Sequence, residues 1–178
     1  MASVSVGVRS MTEADIDAVS ALRVRGWQAA YAGILPQGYL DAMSVEADAA
    51  RRREFFANSL GRVENLVAVD ADDAVVGWAA HGPYRGEDAA SGEGELYAIY
   101  VRPDLVGSGI GRALTDAVLA SAEARGFSRV RLWVLADNAR ARRFYEKAGF
   151  APDGVVQEES YDGTPLPEVR YARGPAGR

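Results

Sequence analysis

The spacing of apolar residues changes period several times along the chain, and each change marks an element. Val4, Val6 and Val8 alternate with small or polar residues, as on a half-buried strand. Thr12 with Asp15 has the form of a capping box. It opens a helix whose apolar positions Ile16, Val19, Val24, Trp27 and Tyr31 keep a roughly helical spacing until Gly33 and Pro36 interrupt it. Gly33 to Met43 reads as a loop with a short helical turn. Ser44 caps a second helix reaching about Asn58, with Phe55 and Phe56 packed inward and Arg51, Arg52 and Arg53 solvated. Leu66 to Asp70 and Val75 to Ala80 read as antiparallel strands joined at Ala71-Asp72-Asp73, and a loop from His81 to Gly94 follows them.

The chain is then organised around Glu95 to Gly111. Leu96 to Val101 is an almost continuous apolar run of strand-favouring residues, and Arg102-Pro103-Asp104 breaks it. The turn Gly107-Ser108-Gly109-Ile110-Gly111 leads into a helix over Arg112 to Arg125, closed by Gly126. Glycines at such a turn let phosphate oxygens approach backbone N–H groups without meeting a Cβ, and a helix start supplies unpaired donors. Each such interaction is small, about 0.3 to 1 kcal/mol, so several amides must act together, as they can on a pyrophosphate. Beyond Gly126, Arg129 to Ala136 alternates as a strand. Asp137-Asn138 then caps a helix over Ala139 to Ala148, closed by Gly149, and Val155–Tyr161 with Pro167–Ala172 reads as a hairpin around Asp162-Gly163.

Composition narrows what these elements serve. The 178 residues suffice for one well-buried domain, expected over residues 4–173, with a disordered tail at 174–178. The 20 Lys plus Arg against 25 Asp plus Glu give a net charge of -5 without a basic run, which argues against nucleic-acid binding. The absence of cysteine removes disulfides, thiolate metal sites and a cysteine acyl-enzyme, and a single histidine removes a histidine-rich metal site, so no metal is expected. With no apolar run of membrane-spanning length and no signal-like start, the expectation is a cytoplasmic protein without membrane contact.

PDLVGSGIGRAL followed by LADNARARRFYEKAGF resembles the acetyl-CoA-binding core of the GNAT superfamily of N-acetyltransferases: its Q/R-x-x-G-x-G/A signature, then its N-x-x-A-x-x-x-Y-x-x-x-G-F segment. The match is strongest over Glu95 to Phe150, and the order of elements agrees over nearly the whole chain. Val106 stands where the signature begins with Gln or Arg, a departure that touches loop geometry more than cofactor identity. The resemblance implies an α/β (α+β) fold with a central, mixed and mostly antiparallel sheet of about seven strands, helices on both faces and splayed central strands. It also implies a pantetheine arm bonded to the strand at Ile99, Tyr100 and Val101. The pyrophosphate falls to Val106, Gly107, Ser108, Gly109, Ile110, Gly111 and Arg112, with Asn138 positioning the arm. One of Arg140, Arg142 and Arg143 is left for the adenosine phosphate.

In that frame Glu95 is the candidate base and Tyr145 the group facing the thioester sulfur. Trp27, Tyr31, Tyr39 and the loop containing His81 form the acceptor pocket, and Glu93 and His81 are the next candidates for the base. Each has a plainer reading. Glu95 suits a strand edge or a salt bridge, Tyr145 and the other aromatics suit a core, and a histidine beside Gly-Pro suits a turn. The implied activity is transfer of acetyl from acetyl-CoA to a small-molecule or protein amine by direct attack in a ternary complex. A non-catalytic acyl-CoA-binding or sensor module is the alternative, and homodimers are common in the family. A dinucleotide-binding oxidoreductase fits poorly, because Arg112 stands where its fingerprint requires Gly or Ala and successive βαβ units are lacking.

Overall fold

The computed structural model describes residues 4–88 and 92–174, so of the expected tail only Gly174 falls within the described residues. Seven strands form one sheet: β1 (Gly7–Ser10), β2 (Glu64–Val69), β3 (Val75–Pro83), β4 (Glu93–Val101), β5 (Arg129–Leu135), β6 (Ala151–Tyr161) and β7 (Thr164–Arg173). Their spatial order is β1-β2-β3-β4-β5-β7-β6. Every neighbouring pair is antiparallel except β4 and β5, which run parallel. The helices are α1 (Ile16–Ala30), α2 (Gln37–Asp41), α3 (Val45–Asn58), α4 (Ile110–Ala124) and α5 (Ala139–Lys147).

Alternation along the strands divides the core between the two faces. On one face Ile16, Val19 and Leu22 of α1 and Ala49 of α3 pack against Val67, Val69, Trp78 and Ala80. On the other, Ile110, Leu114, Val118 and Ala122 of α4 pack against Ala68, Ala79, Leu96, Val130, Leu132 and Val134. A third cluster joins Leu35 and Leu40 to Leu135 and Tyr161 at the far end of α1.

Local chemistry sets the boundaries. The Asp15 carboxylate accepts from the Thr12 N–H at 2.8 Å, and Ser44 Oγ accepts from the Ala47 N–H at 3.2 Å. Asp162 and Gly163 both have positive φ, 52° and 76°, as a two-residue type I′ hairpin requires. Several expectations change. β3 continues through His81 to Pro83 because its ladder with β4 continues, so the connecting loop begins only at Tyr84. α4 begins at Ile110, which leaves a shorter glycine turn, and β6 begins at Ala151. Phe55 is exposed, whereas Phe56 packs against the α1 face. Arg52 is not solvated: its guanidinium lies 4.3 Å from the Trp78 ring centroid and 3.5 Å from Asp48, an aromatic face and a carboxylate that offset part of the cost of its burial.

Candidate active site

The site begins where two strands part. β4 and β5 pair only at Glu93–Arg129, Gly94–Val130 and Glu95–Arg131, and beyond Glu95 they diverge. The Arg102 N–H donates to the Val76 carbonyl at 2.9 Å. Backbone groups alternate sides along a strand, so Ala98 and Tyr100 also turn theirs toward β3, while Ile99 and Val101 turn theirs into the gap. Backbone groups directed into a gap need partners there. Tyr100 thus differs from its neighbours: its backbone belongs to the β3 ladder, and its ring lines the cavity described below.

At the C-terminal end of β4 the chain turns through Gly107 and Gly109, whose φ angles of 89° and 96° lie in the left-handed region that glycine favours. Gly109 is the N-cap of α4, and the first intrahelical bond runs from the Ala113 N–H to its carbonyl. The amides of Ile110, Gly111 and Arg112 therefore lack helical acceptors. Ser108 is not free to share this task, because its amide and hydroxyl both donate to the Leu105 carbonyl and brace the turn. Gly111 is a glycine for packing: a Cβ there would meet Phe144 at 3.1 Å. Val106 is extended, with its amide at 3.5 Å from the Pro103 carbonyl, and the Arg112 side chain is exposed.

The gap opens onto a cavity of about 440 Å³ that holds the two central candidates, Glu95 and Tyr145, in its lining. Glu95 is buried, 3% exposed. Its Oε2 accepts from Arg85 Nη2 at 2.6 Å and Nε at 3.0 Å, whereas Oε1 has only the Arg85 N–H at 3.4 Å. The Arg85 guanidinium also stacks 3.9 Å from the Tyr97 ring centroid. Tyr145 rests edge-on against Phe144 and Phe150, and no side chain of the described residues bonds its hydroxyl. Burial raises the Tyr145 hydroxyl above the ordinary tyrosine range, so it keeps its proton. Asn138 caps α5 by accepting from the Ala141 N–H at 3.1 Å and lines the same cavity.

The opposite wall is aromatic. Trp27, Tyr31 and Tyr39 line it together with Tyr161 of β6, and Trp27 Nε1 donates to the Tyr100 hydroxyl at 2.5 Å. Gln157, Glu159 and Tyr161 alternate along β6 and bring one face of the hairpin to the cavity, beside Glu168 of β7. Arg85, Glu159, Tyr161 and Glu168 were not singled out by sequence reasoning. The alternation Gln157-Glu159-Tyr161 was a usable sign, but nothing in the sequence told which face of that strand turned inward.

Three expected residues lie elsewhere. His81 is 1% exposed and does not line the cavity: its Nε2 lies 3.0 Å from Ser121 Oγ on α4, and burial lowers its pKa to about 4. Glu93 is bound to Arg131 at 3.1 Å at the base of the fork and is absent from the cavity wall. Arg142 is committed to the Tyr171 hydroxyl and the Ala136 carbonyl, each at 3.0 Å, which leaves Arg140 and Arg143 exposed on α5. No helix among the described residues is long and apolar enough to cross a membrane.

Comparisons with known proteins agree with this geometry. The model of the acetyltransferase (GNAT) family matches residues 27–150. An uncharacterised N-acetyltransferase of Bacillus subtilis, YuaI, is 31% identical over 86% of this chain and 83% of its own length. The mycothiol acetyltransferase of Beutenbergia cavernae is 52% identical over 68 residues, 38% of this chain, and that match spans only 22% of the relative's length. Among solved structures, the PaiA N-acetyltransferase of Thermoplasma acidophilum in complex with coenzyme A superposes with a TM-score of 0.75. It covers 96% of this chain and 99% of its own at 19% identity, a likeness of fold. The forked parallel pair, the glycine turn at a helix start and the matched family model together show that this chain belongs to the GNAT acetyltransferase family.

Proposed function

We propose that this protein transfers an acetyl group from acetyl-CoA to a primary amine that carries positive charge, by direct attack within a ternary complex. The observation that carries the reading is the fork between β4 and β5, which opens onto one cavity lined by both Glu95 and Tyr145. The residues around the fork suit an extended, amide-bearing ligand that ends in a pyrophosphate. Ile99 and Val101 offer backbone groups in the manner of an added strand. Gly107, Gly109, Ile110, Gly111 and Arg112 offer amides, with the Arg112 charge close by. Asn138 uses its side-chain oxygen as a cap and retains its amide donors for the arm.

The thioester supplies the acetyl group and a leaving thiolate, and the protein must provide a neutral amine. An amine of pKa near 10.4 lies ~3.4 units from neutrality at pH 7, about 4.6 kcal/mol. Glu95 meets that need directly or through a water it orders, with Oε2 held by Arg85 and Oε1 left to act. Tyr145 keeps its proton and hydrogen-bonds the departing sulfur. Among the described residues the cavity lining carries the carboxylates of Glu95, Glu159 and Glu168 against one guanidinium, that of Arg85, a balance that favours a cationic acceptor.

Heat unfolding with acetyl-CoA, CoA or NAD, followed by thiol-release assays on matched cationic, neutral and anionic amines, tests the proposal. A ligand at 100 times its Kd adds ~2.7 kcal/mol, a shift of a few degrees. Stabilisation by both CoA species but not NAD, with turnover of cationic amines that Glu95→Gln reduces, is the expected result. Stabilisation without turnover of any amine would leave a binding module in place of an enzyme.

A further inference from the structure

The base of the fork carries a second set of charges that the reaction does not require. Arg131 of β5 and Arg170 of β7 are 7% and 5% exposed, and both reach Asp88 in the loop that leaves β3. Asp88 Oδ2 accepts from Arg170 Nη1 at 2.7 Å and from Arg131 Nη1 at 3.2 Å, and Oδ1 accepts from the Tyr84 hydroxyl at 3.1 Å. That hydroxyl in turn accepts from Arg170 Nη1 at 2.9 Å, and the centroid of the buried Tyr84 ring lies 4.8 Å from the Arg131 guanidinium and 5.7 Å from that of Arg170. Arg170 is itself fixed by Asp153 of β6, with Nε at 2.6 Å. Arg85 sits between the two tethered residues Tyr84 and Asp88, and it is the residue that grips Glu95.

Burying two guanidiniums is costly unless carboxylates and hydroxyls compensate them, so an arrangement of this kind is informative about what it holds in place. Here it joins the loop to strands on the opposite side of the fork, across the point where β4–β5 pairing ends at Glu95–Arg131. We propose that Asp88, clamped by Arg131 and Arg170, is a positioning residue for Glu95: it pins the segment Tyr84–Asp88 so that Arg85 holds Oε2 and leaves Oε1 to the cavity. Asp88 touches neither the cavity wall nor any group assigned to the acetyl donor. The inference rests on the proposed role of Glu95, and its test is built to separate the two.

The test uses the full chain with Asp88→Asn and Asp88→Ala. The Asp88 side chain is 57% exposed, and Arg131 keeps Glu93 at 3.1 Å and Arg170 keeps Asp153 at 2.6 Å, so neither guanidinium is left without a carboxylate and both variants are expected to fold. Three measurements are made. Hydrogen exchange follows the amides of residues 84–88. Carboxyl-carbon NMR follows the titration of Glu95, which faces Arg85 and Tyr97 nearby and Glu159 and Glu168 across the cavity. Kinetics give kcat, the KM for acetyl-CoA and the pH–rate profile. Around Asp88 itself the charged and titratable neighbours are Arg131, Arg170 and Tyr84, with Glu93, Arg129 and Asp153 behind them.

The expected result is faster exchange at 84–88, a displaced Glu95 titration, kcat lowered about 10- to 100-fold as for a misplaced catalytic group, and a KM for acetyl-CoA within about twofold. Stabilisation by CoA is retained. Unchanged exchange, or faster exchange with the Glu95 titration unmoved, overturns the proposal. Absence of turnover in the wild type would instead refute the acetyl-transfer reading, while exchange and titration still decide whether Asp88 positions Glu95.

Discussion

Replacing Tyr145 by Phe separates chemistry from packing at this site. The ring is held edge-on by Phe144 and Phe150 at centroid distances of 5.5 and 6.1 Å, contacts that phenylalanine keeps. Tyr145 lines the cavity and its hydroxyl has no side-chain partner among the described residues, so removing that hydroxyl leaves no other side chain unpaired. Stability should therefore stay within about 0.5 kcal/mol of the wild type. A hydrogen bond to a charged group contributes about 1.5 to 3 kcal/mol, and each ~1.4 kcal/mol in a barrier is tenfold in rate, so kcat should fall roughly 10- to 150-fold. Because burial raises this hydroxyl above its ordinary range, Tyr145 should contribute no limb to the wild-type pH–rate profile below about pH 10. Thiol release under saturating acetyl-CoA, paired with heat unfolding of both proteins, measures the two quantities. A kcat within twofold of wild type, or a rate loss accompanied by more than about 1 kcal/mol of lost stability, would return Tyr145 to the core.

Three further outcomes follow from particular residues. His81 is the single histidine, and burial holds its folded pKa at about 4 against ~6.5 unfolded. Only the unfolded chain binds that proton between these values, so stability should fall as pH drops from about 6.5 toward 4, by at most about 3 kcal/mol. Urea midpoints at pH 7 and pH 5 should show this decline in the wild type and a smaller one in His81→Gln; equal declines would show that other groups set it. Gly109→Ala forces a side chain to φ 96° and should lose roughly 1 to 2 kcal/mol together with much of the stabilisation by CoA, read in one heat-unfolding series. Gly77→Ala would place a Cβ 2.8 Å from Leu114 and 3.0 Å from Ile110, so a loss of about 1 to 3 kcal/mol is expected in urea unfolding, with CoA stabilisation intact.

The elements that positioned the site were legible where one local rule decided them. Ser44 and Asn138 cap their helices as read, Gly107 and Gly109 have the left-handed backbone that the turn required, and the hairpin falls on Asp162-Gly163. What sequence could not supply was choice among partners. Glu95 was open to both a catalytic and an ion-paired reading, and it combines burial, an arginine and a place in the cavity. That arginine lies in a loop whose composition gives no sign of where it folds. His81 was drawn toward the site by its chemistry, yet the β3–β4 ladder continues past it, and its ring bonds to Ser121 of α4. Arg52 stood in a charged run that suits a solvated face, and only the tertiary position of Trp78 drew it in.

The deepest gap between sequence and structure is a single inserted residue. Strict alternation along β4 would set Glu95, Tyr97, Ile99 and Val101 on one face and Tyr100 on the other. The register instead shifts between Ala80–Ala98 and His81–Leu96, which leaves Tyr97 as the extra residue of a bulge. Glu95 and Tyr97 therefore share the cavity with Tyr100, while Ile99 and Val101 turn their side chains to the α4 cluster and their backbone groups to the gap. A bulge also increases local twist, and this one lies just past Glu95, the last β4 residue that pairs with β5. One irregularity thus accounts for both requirements of the proposed chemistry: a strand that peels away to admit an extended ligand, and a carboxylate on the same face as the acceptor pocket. The apolar run Leu96 to Val101 contains nothing that distinguishes it from a regular strand, because the bulge is a property of two strands read against each other.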